Sequence, residues 1–344
     1  MSLKIKKLIL LFLFLLFLSS STPVHGDTRN NQVGLQAQPQ IEPTIYDPKT
    51  SNFYTDIDPI YITSNASFIP EGFSGSGTST EPYVLENCRI TNNTEPNLIC
   101  IINTDAYFII RNNFLDGINK SPIGIYLSNV INGVVETNTI VNTRQGIHSV
   151  GNSNSNVITN NTIKDNKHGI TASSSHNSSY TNNNIFNNTG SGIYFEELYQ
   201  PTRALSGNII TNNTIYDNDG DGIFIECGTN NLVMNNSIMN NFLGIDIIDG
   251  EQNTIYNNTI IGNKGGLAIG NGLTDVFLLY ASSNISRNTI MHNEEGLAIY
   301  SYGQFESERG PNNVSKNIII QNGDGLYVGS SNYTITENIV YNNK

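Results

Sequence analysis

Apolar residues recur along the chain in short, isolated peaks, and the peaks keep a fixed relation to asparagine. The motif Asn-x-Ile opens at Asn138, Asn161, Asn183, Asn213, Asn236, Asn258 and Asn288, with looser copies at Asn112, Asn317 and Asn338. Eight or nine residues later comes Gly followed by Ile or Leu, at Gly146, Gly169, Gly192, Gly222, Gly244, Gly266, Gly296 and Gly325, with Gly124 in the looser first unit. Successive motifs from Asn138 lie 23, 22, 30, 23, 22, 30, 29 and 21 residues apart. Helical hairpin repeats need about 33 residues or more. A period near 22 with peaks this short instead predicts one coil of a parallel β-helix per repeat.

Three inward ladders follow from that register. One lies three residues before the Asn (Val135, Ile158, Tyr180, Ile210, Val233, Ile255, Ile285, Val314, Ile335), and one two residues after it (Ile140, Ile163, Ile185, Ile215, Ile238, Ile260, Ile290, Ile319). The third follows the Gly (Ile125, Ile147, Ile170, Ile193, Ile223, Ile245, Leu267, Leu297, Leu326). β-branched residues suit a buried, pleated surface. The expected fold is all-β: a right-handed, single-stranded parallel β-helix of about ten coils, with three sheets and 21–23 residues per basic coil. The repeated Asn is expected to stack as a hydrogen-bonded ladder. The Gly is expected to serve a bend that needs positive φ or close backbone approach.

Four segments are expected: a signal peptide over 1–26, a flexible lead-in over 27–58, a cap and first coil over 59–111, and β-helix repeats over 112–344. The opening stretch joins Lys4, Lys6 and Lys7 to an apolar run from Leu8 to Leu18 and a small, polar region ending at Gly26. These are the three regions of a secretory signal, and the run is short of the roughly 20 residues of a membrane span. The mature chain is therefore expected outside the cytoplasm, secreted or on the cell surface, with no membrane span. The last residues, "NIVYNNK", stop in mid-coil. An uncapped coil exposes sheet edges, which implies a sequence cut short there, self-association or a partner at that end.

Charge narrows the partners. Loss of the three signal lysines takes 17 cationic residues to 14 against 29 acids, a net of −15. Such a surface excludes nucleic acid as a partner and disfavours polyanions on average, so a carbohydrate ligand is expected to be neutral. Three cysteines, Cys88, Cys100 and Cys227, allow one disulfide or none.

The stretches "GSGTSTEPYVLEN", "NTDAYFIIRNN" and the "NTI…GI" repeats resemble the NosD-like family of right-handed parallel β-helix proteins, also described as carbohydrate-binding and sugar-hydrolase (CASH) domains. The resemblance runs from about Pro59 to the end. It implies the fold and a carbohydrate ligand, and through the family name a periplasmic copper-site accessory role. Copper needs clustered soft ligands; His148, His168, His176 and His292 are scattered in the sequence.

Outward positions on the strand after each Gly combine aromatics with carboxylates only in the central coils. Glu196 and Glu226 occupy equivalent places in consecutive coils, so their Cα atoms are expected about 4.8 Å apart. That closeness suits a retaining glycoside hydrolase with Glu196, Glu226 and Asp246 as catalytic residues and Tyr194, Asp221 and Phe224 as substrate contacts. The excess residues "ELYQPTRALSG", "GNGLTDVFLLYASS" and "SYGQFESERGPNN" are expected to wall a trough whose floor is Phe224, Glu226 and Asp246. Asp217, Asp219 and Asp221 mimic half of a calcium loop, but its twelfth position is Gly228 where a Glu belongs. Polysaccharide lyase chemistry is the other enzymatic reading; Arg144, Arg203, Arg287 and Arg309 are available and no spacing singles one out. A non-catalytic surface or adhesive solenoid is the competing class.

Overall fold

A computed structural model describes residues 53–92, 94–119, 122–196, 205–270, 283–300, 312–329 and 333–344. These residues form three wholly parallel sheets of 12, 11 and 11 strands, each strand pairing with its equivalent one coil away. The chain visits the three sheets in turn, which is the right-handed parallel β-helix expected from the repeat. The strand count exceeds ten because the 55–111 region also contributes, as in Ile60–Ile62 paired with Asn97–Thr104. There Phe68 stacks on Tyr83 at 4.5 Å and tilts against Phe108 at 5.7 Å.

All three inward ladders are buried, from Val135 through Val314, from Ile140 through Ile319, and from Ile125 through Leu297. Exposure returns only near the last coil, where Ile335 is 43% exposed. A further inward ladder runs beside the third (Leu127, Ser149, Ala172, Phe195, Ile225, Ile247, Ile269, Ile299). Its small members, Ser149 and Ala172, precede Phe195, whose ring meets Tyr180 edge-on at 5.0 Å. Bulk lost at one position is made up by bulk at its neighbours, as a close-packed interior requires.

Asparagine holds the coils in register. Asn213 Nδ2 donates to the Tyr180 carbonyl (2.9 Å) and to Asn236 Oδ1 in the next coil (3.0 Å), while its own Oδ1 accepts from the N–H (2.9 Å) and Nδ2 (3.1 Å) of Asn183. The pattern runs from Asn113 to Asn338. A second ladder, five residues on, links Asn166, Asn188, Asn218, Asn241, Asn263, Asn293, Asn322 and Asn343. A third corner joins Asn208, Asn231 and Asn253.

The residue before a ladder Asn takes the left-handed conformation, as Asn160 (φ 56), Asn182 (φ 55), Asn212 (φ 56) and Asn235 (φ 56) do. Asn tolerates that region better than most side chains, which explains the Asn-Asn doublets. The repeated Gly is demanded by close approach and not by positive φ. A Cβ on Gly222 would lie 2.6 Å from the Gly244 carbonyl and 2.5 Å from Ile238.

Asn213→Ala orphans buried groups in two neighbouring coils and should cost about 3 kcal/mol, while Asn212→Gly should stay within about 0.5 kcal/mol. Urea midpoints of the two variants check this; equal losses would remove the ladder as the device that sets register.

Candidate functional site

The second sheet presents one outward ladder in strict register: Tyr126, His148, Thr171, Tyr194, Phe224 and Asp246. Tyr126 and His148 stack at 5.6 Å and 9°, and Tyr194 and Phe224 stack at 4.9 Å and 11°. Thr171 lies between the two stacks. Adjacent coils are about 4.8 Å apart, so the missing ring leaves a slot roughly 10 Å wide between the planes of His148 and Tyr194.

The slot is a cavity of about 510 Å³ with Thr171 at its floor and Glu196 on one flank. His168 and Gln145 line the other flank, and His168 leans on Tyr194 at 5.3 Å. Arg144 and Lys167, both exposed, occupy the rim from adjacent coils. Among the described residues no carboxylate forms an ion pair with either cation.

Both histidines are neutral at physiological pH. Burial pushes His148 down to about 4, with help from the Arg144 charge. Burial and Lys167 lower His168 as well. The Ser191 N–H donates to His168 Nδ1 (3.2 Å), so that nitrogen is bare and the neutral ring carries its proton on Nε2. His148 Nδ1 bonds Thr171 Oγ1, and the Thr171 hydroxyl has the Ile147 carbonyl as its own acceptor (3.5 Å). In the tautomer that donates from Nδ1 to Thr171 Oγ1, His148 Nε2 keeps a free lone pair.

Past Tyr194 the electrostatics reverse. Tyr194 is pushed up to about 12 by burial, then by the charges of Glu196 and Glu226. Glu226 is raised by burial, by Glu196 and by Asp249. Asp246 rises to about 7 through burial and the Asp221 charge. Asp221 is itself raised by burial, partly offset because its carboxylate accepts the Leu243 N–H at 3.1 Å.

Tyr194 and Glu196 therefore line the cavity; Phe224 backs Tyr194, and Glu226, Asp221 and Asp246 stand in the following coils. The concavity lies two coils before the expected trough floor. The insertions expected to wall that trough fall at 197–204, 271–282 and 301–311, outside the described residues.

The backbone spreads Asp217, Asp219 and Asp221, the residues of the calcium expectation, around a corner. Asp217 ends a first-sheet strand in the left-handed region (φ 57) and accepts from Asn240 Nδ2. Asp219 sits in the exposed turn tied to Asn188, and Asp221 opens the second sheet. Among the described residues no three His, Cys, Asp or Glu side chains converge as metal ligands.

The family model described as periplasmic copper-binding protein (NosD) matches residues 60–274. No curated protein matches the sequence. Among solved structures, the alginate lyase of Paenibacillus sp. str. FPU-7 aligns with TM-score 0.58 and 13% identity over 80% of this chain and 99% of that one. The A-module of Azotobacter vinelandii mannuronan C-5 epimerase AlgE6 aligns with TM-score 0.56 and 15% identity over 82% and 90%. At these identities the likeness is one of fold. The described residues do not fit the copper centre that the family description implies: His148, His168 and His176 each engage Nδ1 with a different neighbour and share no cluster.

The two halves of the site should titrate in opposite senses. Asp246, with a folded pKa of about 7 against 3.8 unfolded, contributes stability that is present in acid and lost as pH rises from about 4 through 7. His148, lowered from 6.5 to about 4, contributes stability present above 6.5 and lost as pH falls toward 4. Asp246→Asn should remove the loss at the alkaline end, so that Tm falls less between pH 5 and pH 8 than in the natural chain. Superimposable Tm profiles for the two proteins would contradict a protonated Asp246.

Proposed function

The chain belongs to the NosD family, and we propose that it binds an acidic polysaccharide in the slot over Thr171 and cleaves it there by β-elimination. The observation that carries the reading is the slot itself. One ring-sized gap in an aromatic ladder brings two unpaired cations, two neutral imidazoles, a phenol and a carboxylate around one point. The likeness in fold to an alginate lyase and a mannuronan C-5 epimerase module agrees with a glycan ligand.

In this reading the uronate carboxylate pairs with Arg144 and Lys167, which stabilises the negative charge that develops when the adjacent C5 proton leaves. His148 Nε2 takes that proton. The C4–O4 bond breaks as the C4=C5 double bond forms, and the departing O4 receives the Tyr194 hydroxyl proton. Glu196 lines the cavity beside Tyr194, and its charge keeps the phenol protonated until the leaving oxygen takes the proton. Solvent then returns a proton to Tyr194 and removes one from His148. Bound carboxylate would also offset the Arg144 charge that depresses His148, making the ring a stronger base when substrate is present.

Net charge pointed to a neutral polymer, but charge averaged over the surface is screened beyond about 8 Å. The rim cations act inside that distance. Export from the cytoplasm is part of the proposal, because a polymer substrate lies outside the cell.

A second reading, hydrolysis by Glu196 and Glu226 with Asp246 tuning them, is favoured by the upward push of Glu196 on the Glu226 carboxyl. It resembles the acid partner of a retaining pair. Chain-end chemistry separates the two. Elimination yields ultraviolet-absorbing unsaturated ends, with His148→Ala lowering their rate by roughly 100-fold or more and Glu226→Gln leaving it near the original. Saturated reducing ends that vanish in Glu226→Gln would instead establish the hydrolase. Glycan bound with no turnover of either kind would make the protein a binding solenoid.

A further inference from the structure

The groove is electrically polarised along the helix axis. At the slot the charged neighbours of the two histidines are Arg144 and Lys167. From Tyr194 to Asp246 the charges that shift the titratable groups are carboxylates, Glu196, Glu226, Asp221 and Asp249, and a cation returns at the same corner only with Lys264, one coil beyond Asp246. Thr171 and Asp246 are three register steps apart in one ladder, a distance of about 14 Å. A sugar polymer following the ladder therefore crosses from a cationic to an anionic environment within a few sugar units.

We propose that this site selects a heteropolysaccharide, with one anionic sugar in the Thr171 slot followed by neutral sugars across Phe224 and Asp246. Arg144 offers a planar fork of donors and Lys167 a point charge, the pairing that recognises a carboxylate or sulfate on a sugar. Carboxylates beyond Tyr194 accept hydrogen bonds and donate none when ionised, so they fit the hydroxyls of neutral sugars and repel a second anion. A homopolymeric uronate would place like charges against Glu226 and Asp221. The inference rests on the glycan-binding reading of the slot and narrows its substrate class.

The test is equilibrium binding of the purified chain to four probes: gellan, whose uronate is flanked by neutral sugars; polymannuronate, a homopolymeric uronate; a neutral β-glucan; and a sulfated galactan. Gellan should bind best, polymannuronate on the order of tenfold more weakly, and the double variant Arg144→Gln, Lys167→Gln should lose gellan affinity by about tenfold or more. The same variant should leave Tm unchanged. A sulfated galactan that binds in an Arg144- and Lys167-dependent way, tighter than gellan, would keep the anion subsite and identify sulfate as its ligand. Polymannuronate bound as tightly as gellan would overturn the selection for neutral neighbours. Equal binding of β-glucan and gellan, unchanged in the double variant, would overturn the anion subsite while leaving the glycan reading intact. Binding of none of the four would overturn both.

Discussion

Everything on the outer face of this protein depends on hydrogen bonds made inside it by asparagine amides. Each ladder Asn spends its amide on the coil before and the coil after, so a coil cannot slide along its neighbour without orphaning buried donors and acceptors. Register held this way fixes which outward side chains stack. Tyr126 meets His148 and Tyr194 meets Phe224 because their strands are locked in step, and Thr171 becomes a gap only because its neighbours are so placed. The slot is a vacancy in a one-dimensional lattice, and the lattice is made of Asn.

Two consequences of burial divide that surface. The two histidines are stripped of charge by partial burial beside cations, while the carboxyls beyond Tyr194 are pushed toward their protonated forms by burial beside other carboxyls. Desolvation is the largest cause in each case, and the sign of the neighbouring charge adds to it. The result is a groove whose groups sit near the protonation states that acid and base chemistry need, without a metal ligand cluster among the described residues.

The fold was legible because its determinants repeat: Asn138, Asn161 and Asn183 announce the coil, and Ile140, Ile163 and Ile185 its core. The second Asn ladder, from Asn166 to Asn343, is less legible because its members follow turn residues of varied type, such as Asp165 and His292, that share only a left-handed backbone. The Gly role was half legible; close approach to the next coil's carbonyl is a property of two coils side by side and leaves no local mark. The site was legible only in part. Tyr194 and Glu196 stand out as chemistry-bearing residues, whereas the slot is created by a small residue, Thr171, whose importance lies in what it lacks. The sequence does carry the signal, a Thr at the outward position between His148 and Tyr194, but a pattern of residue types registers groups present and not the space between them.

The central claim is that the slot holds an anionic sugar beside His148. An NMR titration of the His148 ring, with and without a uronate oligosaccharide, tests it most directly. The account predicts a free-state pKa near 4 that rises when the sugar binds, because the carboxylate replaces the unopposed Arg144 charge with a neutralised pair. A His148 pKa near 6.5 in the free chain, or one unmoved by oligosaccharide that demonstrably binds, would contradict it.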